Sequence, residues 1–465
     1  MKKTVILNSP YRLKAICRDM AAGLGFDGGQ KTIIPPLDLL SYATWLGMKN
    51  YDVKFIDCQA EHLTDEDIIY EISTFKPDFI IISLSLPTLE ADISFSRFLK
   101  DNLKKNTPII IKTAIHYRPI IEKILNESEC SFCIIGECDT IVNLLLEGNS
   151  FKGTARMLNG EYYVEDEIFL DNLDELPVLN RSYLKNNIYS YSRLGSNITT
   201  MQTSRGCPFR CAYYCPYPLV QGKKWRSMSA QRILKELQDI TRRDIKSILF
   251  RDAVFTFDQE RIKTMCKLII KNHLHISWWC ETRIDCLSEE LIDLMKQAGC
   301  SGMNVGVETG DEHLLSSKAK PNLELSDIKR LSGYCKNTGM KLHFLLMIGF
   351  PGETKETLFK TFKLVKELSP ESLGITTLTP YPGSQLYEDA LQNNWIIQDE
   401  FSSFGGRDYN MKTGFLSKED IQFAIDNIHA ICRVANKTDR NSIKLSLELF
   451  QKFENWVINE QKINE

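Results

Sequence analysis

The feature that most constrains this 465-residue chain is a rhythm. Short β-branched and aromatic runs alternate with amphipathic stretches in two blocks, with one interruption. In the first block, residues 4–7, 53–56, 79–83, 109–111 and 132–135 read as buried strands. Residues 37–46, 65–75, 89–103, 119–125 and 140–147 read as the helices between and after them. Parallel neighbours need a crossover, so this alternation predicts a parallel sheet covered on both faces. The interruption spans 151–185. There Asn159-Gly160, between two β-prone runs, predicts a hairpin, and the acidic stretch 171–177 predicts a linker. From residue 196 the rhythm resumes with strands at 198–203, 247–250, 276–280, 303–307, 342–348 and 373–378. Helices fit at 231–240, capped by Ser229, at 259–271, capped by Asp258, and at 289–297 and 355–368. Six strand–helix units fit a partial barrel better than a closed eight-unit one. The expected class is α/β: a Rossmann-like doubly wound sheet over 1–150, a hairpin and linker over 151–190, a partial (β/α)6 barrel over 191–400, and a mainly helical region over 401–465. In that last region 420–434 and 442–458 are the best helices.

Composition narrows the function classes. With 43% hydrophobic and 25% charged residues, the chain has a globular balance and a sizeable core. A net charge of −3 gives no footprint for nucleic acid. The start, MKKTVILNSPYR, has too short an apolar stretch for a signal peptide, and no run approaches the ~18 residues of a membrane anchor. A cytoplasmic location is expected. Most of the 14 cysteines are then expected to be reduced.

Three of those cysteines point to chemistry. Cys207, Cys211 and Cys215 lie within Arg205-Gly206-Cys207-Pro208-Phe209-Arg210-Cys211-Ala212-Tyr213-Tyr214-Cys215, just after a predicted strand, where barrel enzymes carry their catalytic loops. Closely spaced thiolates hold iron–sulfur clusters. A closed zinc site would need a fourth ligand, and no nearby Cys or His supplies one.

Here the chain resembles the radical S-adenosylmethionine enzymes. Their usual CxxxCxxC loop binds a [4Fe–4S] cluster, leaving one iron open. This sequence reads CxxxCxxxC, with one residue added before Cys215. The resemblance implies Cys207, Cys211 and Cys215 as cluster ligands and S-adenosylmethionine as cosubstrate. Gly306-Val307-Glu308-Thr309-Gly310 and Ile348-Gly349-Phe350-Pro351-Gly352-Glu353 close the fourth and fifth barrel strands, where the family contacts the nucleoside. Glu308, Gly349 and Phe350 are candidates there. Either Tyr213 or Tyr214 is the candidate for stacking on adenine, and Arg283 for pairing with the methionine carboxylate. Arg251-Asp252 has similar standing.

The first block, placed before such a barrel, resembles the cobalamin-binding domain of the cobalamin-dependent members of that group. The resemblance covers about residues 4–150 and the barrel to about 390. It implies a corrin site at the carboxyl ends of the strands, with Pro35, Pro36, Ser83, Ser85, Thr88, Thr113, Ala114, His116, Gly136 and Glu137 as candidates. The frequent Gly-Gly pair after the fourth strand is replaced by Lys112-Thr113-Ala114-Ile115-His116, and no DxHxxG motif is present. Cys130, Cys133 and Cys138 read as structural.

The activity implied is a methyl transfer. A reduced cluster cleaves S-adenosylmethionine, the 5′-deoxyadenosyl radical takes hydrogen from an unactivated carbon, and methylcobalamin supplies the methyl group. An external electron donor such as flavodoxin or ferredoxin is the implied partner. Alternatives are radical cyclisation, rearrangement or oxidation without methyl transfer, a non-catalytic iron–sulfur electron-transfer protein, and a corrinoid-binding scaffold. The substrate is not legible.

Overall fold

The computed structural model describes residues 1–18, 24–27, 32–103, 106–397 and 400–464. The first sheet contains β1 (Lys3–Asn8), β2 (Asp52–Asp57), β3 (Phe79–Leu84), β4 (Ile109–Thr113) and β5 (Phe132–Ile134), parallel in the order β2-β1-β3-β4-β5. All five are the expected strands. The period of two divides their side chains between two cores. Ile6, Ile81 and Ile110 face Tyr42, Leu46 and Val142 on one side, while Val5, Ile80, Ile82 and Ile111 join Ile68, Ile93 and Ile121 on the other. The strand order reverses at β1, which opens a crevice beyond Asn8 and Leu84, where ligands of such sheets bind.

The expected hairpin is present as β6 (Thr154–Leu158) and β7 (Glu161–Val164), with Asn159 and Gly160 at positive φ in its turn. It is not part of a free linker. It pairs antiparallel onto β5, so the first sheet has seven strands.

The second sheet contains β8 (Ile198–Met201), β9 (Ser247–Phe250), β10 (Ser277–Thr282), β11 (Cys300–Glu308), β12 (Lys341–Ile348) and β13 (Ser372–Thr377). These are parallel, adjacent in chain order, and do not close on themselves. Outside them lie helices Ala230–Arg242, Gln259–Lys271, Glu289–Gln297, Leu325–Thr338 and Lys355–Leu368. Ser229 and Asp258 cap the first two through their side chains, as expected. Helix Leu325–Thr338 was not anticipated, and its N-cap, Glu324, makes no capping bond. A buried polar group crosses the barrel's amino-terminal half: Trp279 Nε1 and Tyr191 Oη meet Asn304, and Arg193 reaches from Tyr191 to His343. Such groups at the bottom of a barrel serve stability, which leaves the carboxyl ends of the strands for chemistry.

The two carboxy-terminal helices are Lys418–Ala435 and Arg440–Asn464. They pack along Lys355–Leu368 through Phe359, Phe362, Phe423, Phe453 and Trp456. The segment before them crosses between the domains, and Phe404 packs into the apolar core of the first sheet together with Val220 of the barrel.

Candidate active site

The cysteine loop leaves β8 and is clamped at both ends. Asp252, at the end of β9, accepts from the backbone N–H of Thr203 at 3.1 Å, from Thr203 Oγ1 at 2.7 Å and from Ser204 Oγ at 2.5 Å. Asp252 therefore aims the chain that leads into the loop. Gly206 closes the other side: its φ is +85°, and a Cβ there would stand 2.1 Å from the carbonyl oxygen of Lys224. Only glycine fits this approach. Cys207 N–H then donates to Gly222 O at 3.1 Å, which fastens the base of the loop.

The added residue is absorbed as helix. Residues Arg210–Tyr213 form a 3-10 turn, and Cys215 N–H donates to Cys211 O at 3.0 Å, an i to i+4 bond. Residues four apart share one face of a helical turn, so the CxxxC spacing keeps both thiols on one side. Cys207 and Cys211 are buried and Cys215 is half-buried. The thiol of Cys215 donates toward Cys211 and, with Lys320 and Arg283 nearby, holds Cys211 down to about 6. Burial pushes Cys207 up to about 11. Thus the Cys211 thiol is lowered between two cations. Among the described residues no three Cys, His, Asp or Glu side chains converge on a single-ion site. A four-iron cluster makes a different demand, since each thiolate takes its own iron.

The cations stand at the carboxyl ends of the strands. Arg283, just beyond β10, is 4% exposed; its guanidinium pairs with Asp285 at 2.7 Å and lies 4.0 Å over the Phe209 ring. Lys320 was not anticipated. Its Nζ lies 3.0 Å from Glu308 and donates to Gly306 O at 2.7 Å, and nothing in sequence set it apart from neighbouring Lys318. Glu308 ends β11 at a register shift with φ +65°, an unusual backbone state for glutamate. Strain at the mouth of a site is a functional signature.

The two tyrosines separate. Tyr214 is buried, meets Phe350 edge to face at 5.8 Å and donates to Ala319 O at 3.3 Å. Tyr213 turns away and donates to Asp389 at 3.0 Å. Gly349, at φ +103°, donates its N–H to Glu353 Oε2 at 2.5 Å. Glu353 is 1% exposed, and burial pushes its carboxyl up to about 8. The motif that contains it gave Glu353 no role of its own; here it fixes the turn that presents Phe350. Arg251 instead faces Glu281 at 3.4 Å.

The first domain's candidates divide as well. Ser83 bonds Asn8 and Ser9, while Ser85 and Thr88 bond each other and Asp92, which pairs with Arg18 at 3.0 Å. These hydroxyls form a closed network above the crevice. Pro35 accepts from Thr200 of the barrel, Pro36 begins helix Leu37–Met48, and Thr113 Oγ1 accepts from the Ile115 N–H. Ala114 and Ile115 lie in the apolar core beside Val220 and Phe404.

Glu137 and Gly136 do not line the crevice. The Glu137 carboxylate is taken by Arg226 at 2.7 and 2.8 Å and by Arg205 at 3.3 Å, and Ile168 covers Gly136. Asp139 joins the group, accepting from Arg205 at 2.9 and 3.2 Å. Burial alone would raise the Asp139 carboxyl, but Arg205 outweighs it and holds the group below its ordinary value. This fully buried joint ties the last loop of the first sheet to the residue two before Cys207.

His116 is less exposed than a surface histidine. Its Nδ1 lies 2.7 Å from Glu167, and its Nε2 is buried without a hydrogen-bonding partner among the described residues. It lines a cavity of 290 Å³ between the domains, with Leu24, Pro119, Leu219, Pro382 and Gly383.

Residues 201–365 match the radical SAM superfamily. The chain is 29% identical over 400 residues to an uncharacterised methyltransferase of Pyrococcus horikoshii, covering 83% of this chain and 85% of that one. It is 24% identical over 405 residues to an anaerobic magnesium-protoporphyrin IX monomethyl ester cyclase of Rubrivivax gelatinosus, covering 83% and 70%. Among solved structures, the radical S-adenosylmethionine methyltransferase TsrM of Kitasatospora setae, with cobalamin and a [4Fe–4S] cluster bound, superposes with a TM-score of 0.69 at 14% identity, covering 95% and 90%. That likeness spans both sheets and establishes a shared fold.

Proposed function

Residues 201–365 are a radical SAM domain, and on that premise we propose that this chain is a cobalamin-dependent radical SAM methyltransferase acting on an unactivated carbon. The observation that carries the proposal is the joint between the two sites. A three-thiol loop and a switch-point crevice sit on neighbouring domains, locked together by Glu137, Arg205, Asp139 and Arg226. When bound, the cluster with S-adenosylmethionine supplies a 5′-deoxyadenosyl radical, and cobalamin supplies a transferable methyl group.

The residues fit these groups in chemistry. Cys207, Cys211 and Cys215 would hold the cluster, and Lys320 and Arg283 offset its charge. Arg283 would receive the methionine carboxylate, its own Asp285 orienting the guanidinium. Tyr214 and Phe350 offer the adenine an apolar wall, while the turn held by Glu353 and the strained backbone at Glu308 bring main chain close to the nucleoside. His116, through its unpaired Nε2, and the mixed walls of its cavity, with Arg118 and Glu167 beside Leu24, Pro119 and Leu219, would meet the corrin. Radical SAM chemistry consumes an electron, so an external donor is required, and a flavodoxin or ferredoxin would serve. No described helix is long and apolar enough to cross a membrane; a cytoplasmic location is part of the proposal.

The cyclase relative favours a second reading, in which the same radical closes a ring or oxidises its substrate without methyl transfer. Product analysis after anaerobic reconstitution with S-adenosylmethionine, hydroxocobalamin and a low-potential reductant separates them. The proposal expects 5′-deoxyadenosine together with S-adenosylhomocysteine. 5′-Deoxyadenosine alone would replace it with the second reading.

A further inference from the structure

One pair of sulfurs lies outside this machinery. Cys130 and Cys133 flank the start of β5, at the amino end of the first sheet, opposite the crevice and apart from the cluster loop. In sequence both read as structural. The structure brings Cys130 Sγ to 3.8 Å from Cys133 Sγ, close enough for a sulfur hydrogen bond. Their surroundings are unequal. Cys133 is fully buried, paired in register between Ile111 of β4 and Ala155 of β6, while Cys130 is half-buried on the turn after Glu129, which has positive φ. The hydrogen bond from Cys133, with Lys100 contributing, lowers the Cys130 thiol and raises its partner.

We propose that Cys130 and Cys133 form a redox-active dithiol in which Cys130 is the attacking sulfur and Cys133 the resolving one. Only the thiolate attacks a disulfide, and access decides which thiol does so. The oxidant is a low-molecular-weight disulfide. The Cys130 sulfur attacks one of its two sulfurs, breaking that S–S bond, forming a mixed disulfide and releasing one thiolate. Cys133 gives up its proton, and its sulfur displaces the second thiolate from Cys130. Two electrons pass from the pair to the external disulfide, which leaves as two thiols. The short Cys-x-x-Cys reach and the existing sulfur contact make the second step intramolecular. The site is independent of the radical chemistry and stands whether or not the methyltransferase reading holds.

The test equilibrates the full-length, cluster-loaded chain with mixtures of reduced and oxidised glutathione, followed by acid quenching, alkylation and peptide mapping. Cys130 and Cys133 should lose alkylation together as the buffer becomes oxidising, in a peptide lighter by two hydrogens. Cys133→Ser should accumulate glutathione on Cys130, and Cys130→Ser should leave Cys133 alkylated across the whole series. The proposal is overturned if both cysteines stay alkylated in the wild-type chain, or if a glutathione adduct persists on wild-type Cys130 without resolution.

Discussion

At the scale of single residues, the account turns on which side chains face the cluster. Replacing Cys207, Cys211 or Cys215 with alanine should each abolish a bound four-iron cluster, read as iron content after reconstitution. Tyr214→Ala should weaken S-adenosylmethionine binding about tenfold, or about 1.4 kcal/mol, near the upper range of one aromatic contact. Tyr213→Ala should leave it unchanged, because Tyr213 is engaged with Asp389; equilibrium dialysis of the reconstituted variants distinguishes the two. Glu353 gives a pH signature. Its folded pKa, about 8, lies above the unfolded value of 4.5, so the folded state holds the extra proton between those values. Stability is then full below about pH 4.5 and is lost as pH rises through about 8. Glu353→Gln, which still accepts through its amide oxygen, should flatten that decline in chemical denaturation measured across pH 5–9.

At the scale of elements, the loop geometry makes Gly206 a sharp test. Gly206→Ala forces a Cβ onto a carbonyl in a left-handed backbone state, so it should lower iron loading while circular dichroism stays that of the wild type. This is also the scale at which sequence and structure agree best. Strands such as β3 and β12 were legible because β-branched runs have few alternatives, and Ser229 and Asp258 marked their helices by side-chain capping. Helix Leu325–Thr338 was not legible because no capping side chain marks its start. The hairpin was legible as a hairpin, but its partner strand was not, since pairing onto β5 depends on tertiary contact. The cysteines and Arg283 could be read from spacing and position. Lys320 and Glu353 could not, because what sets each apart is a bond to backbone, Lys320 to the Gly306 carbonyl on β11 and Glu353 to the Gly349 N–H four residues back. Glu137 was placed at the ligand crevice from its strand-end position, and only the arginines from the barrel show it to be a joint.

At the scale of the whole molecule, function depends on holding two sites in one frame. Arg205 carries that burden: it bonds Asp139 twice, approaches Glu137, and stands two residues before Cys207. Asp139→Ala would leave a buried guanidinium with half its partners and should cost roughly 3–5 kcal/mol, visible as a lower unfolding midpoint. If the joint also sets the loop, iron loading should fall with it, whereas Lys329→Ala, which breaks an exposed pair with Glu367 on the outer helices, should change neither.

The most direct test of the central claim is the metal content of the chain after anaerobic reconstitution with iron, sulfide and hydroxocobalamin and removal of unbound cofactor. The account predicts about four irons, as one [4Fe–4S] cluster requires, together with one cobalt per chain. Iron without cobalt would contradict the two-cofactor enzyme, and absence of both would contradict the reading of the cysteine loop itself.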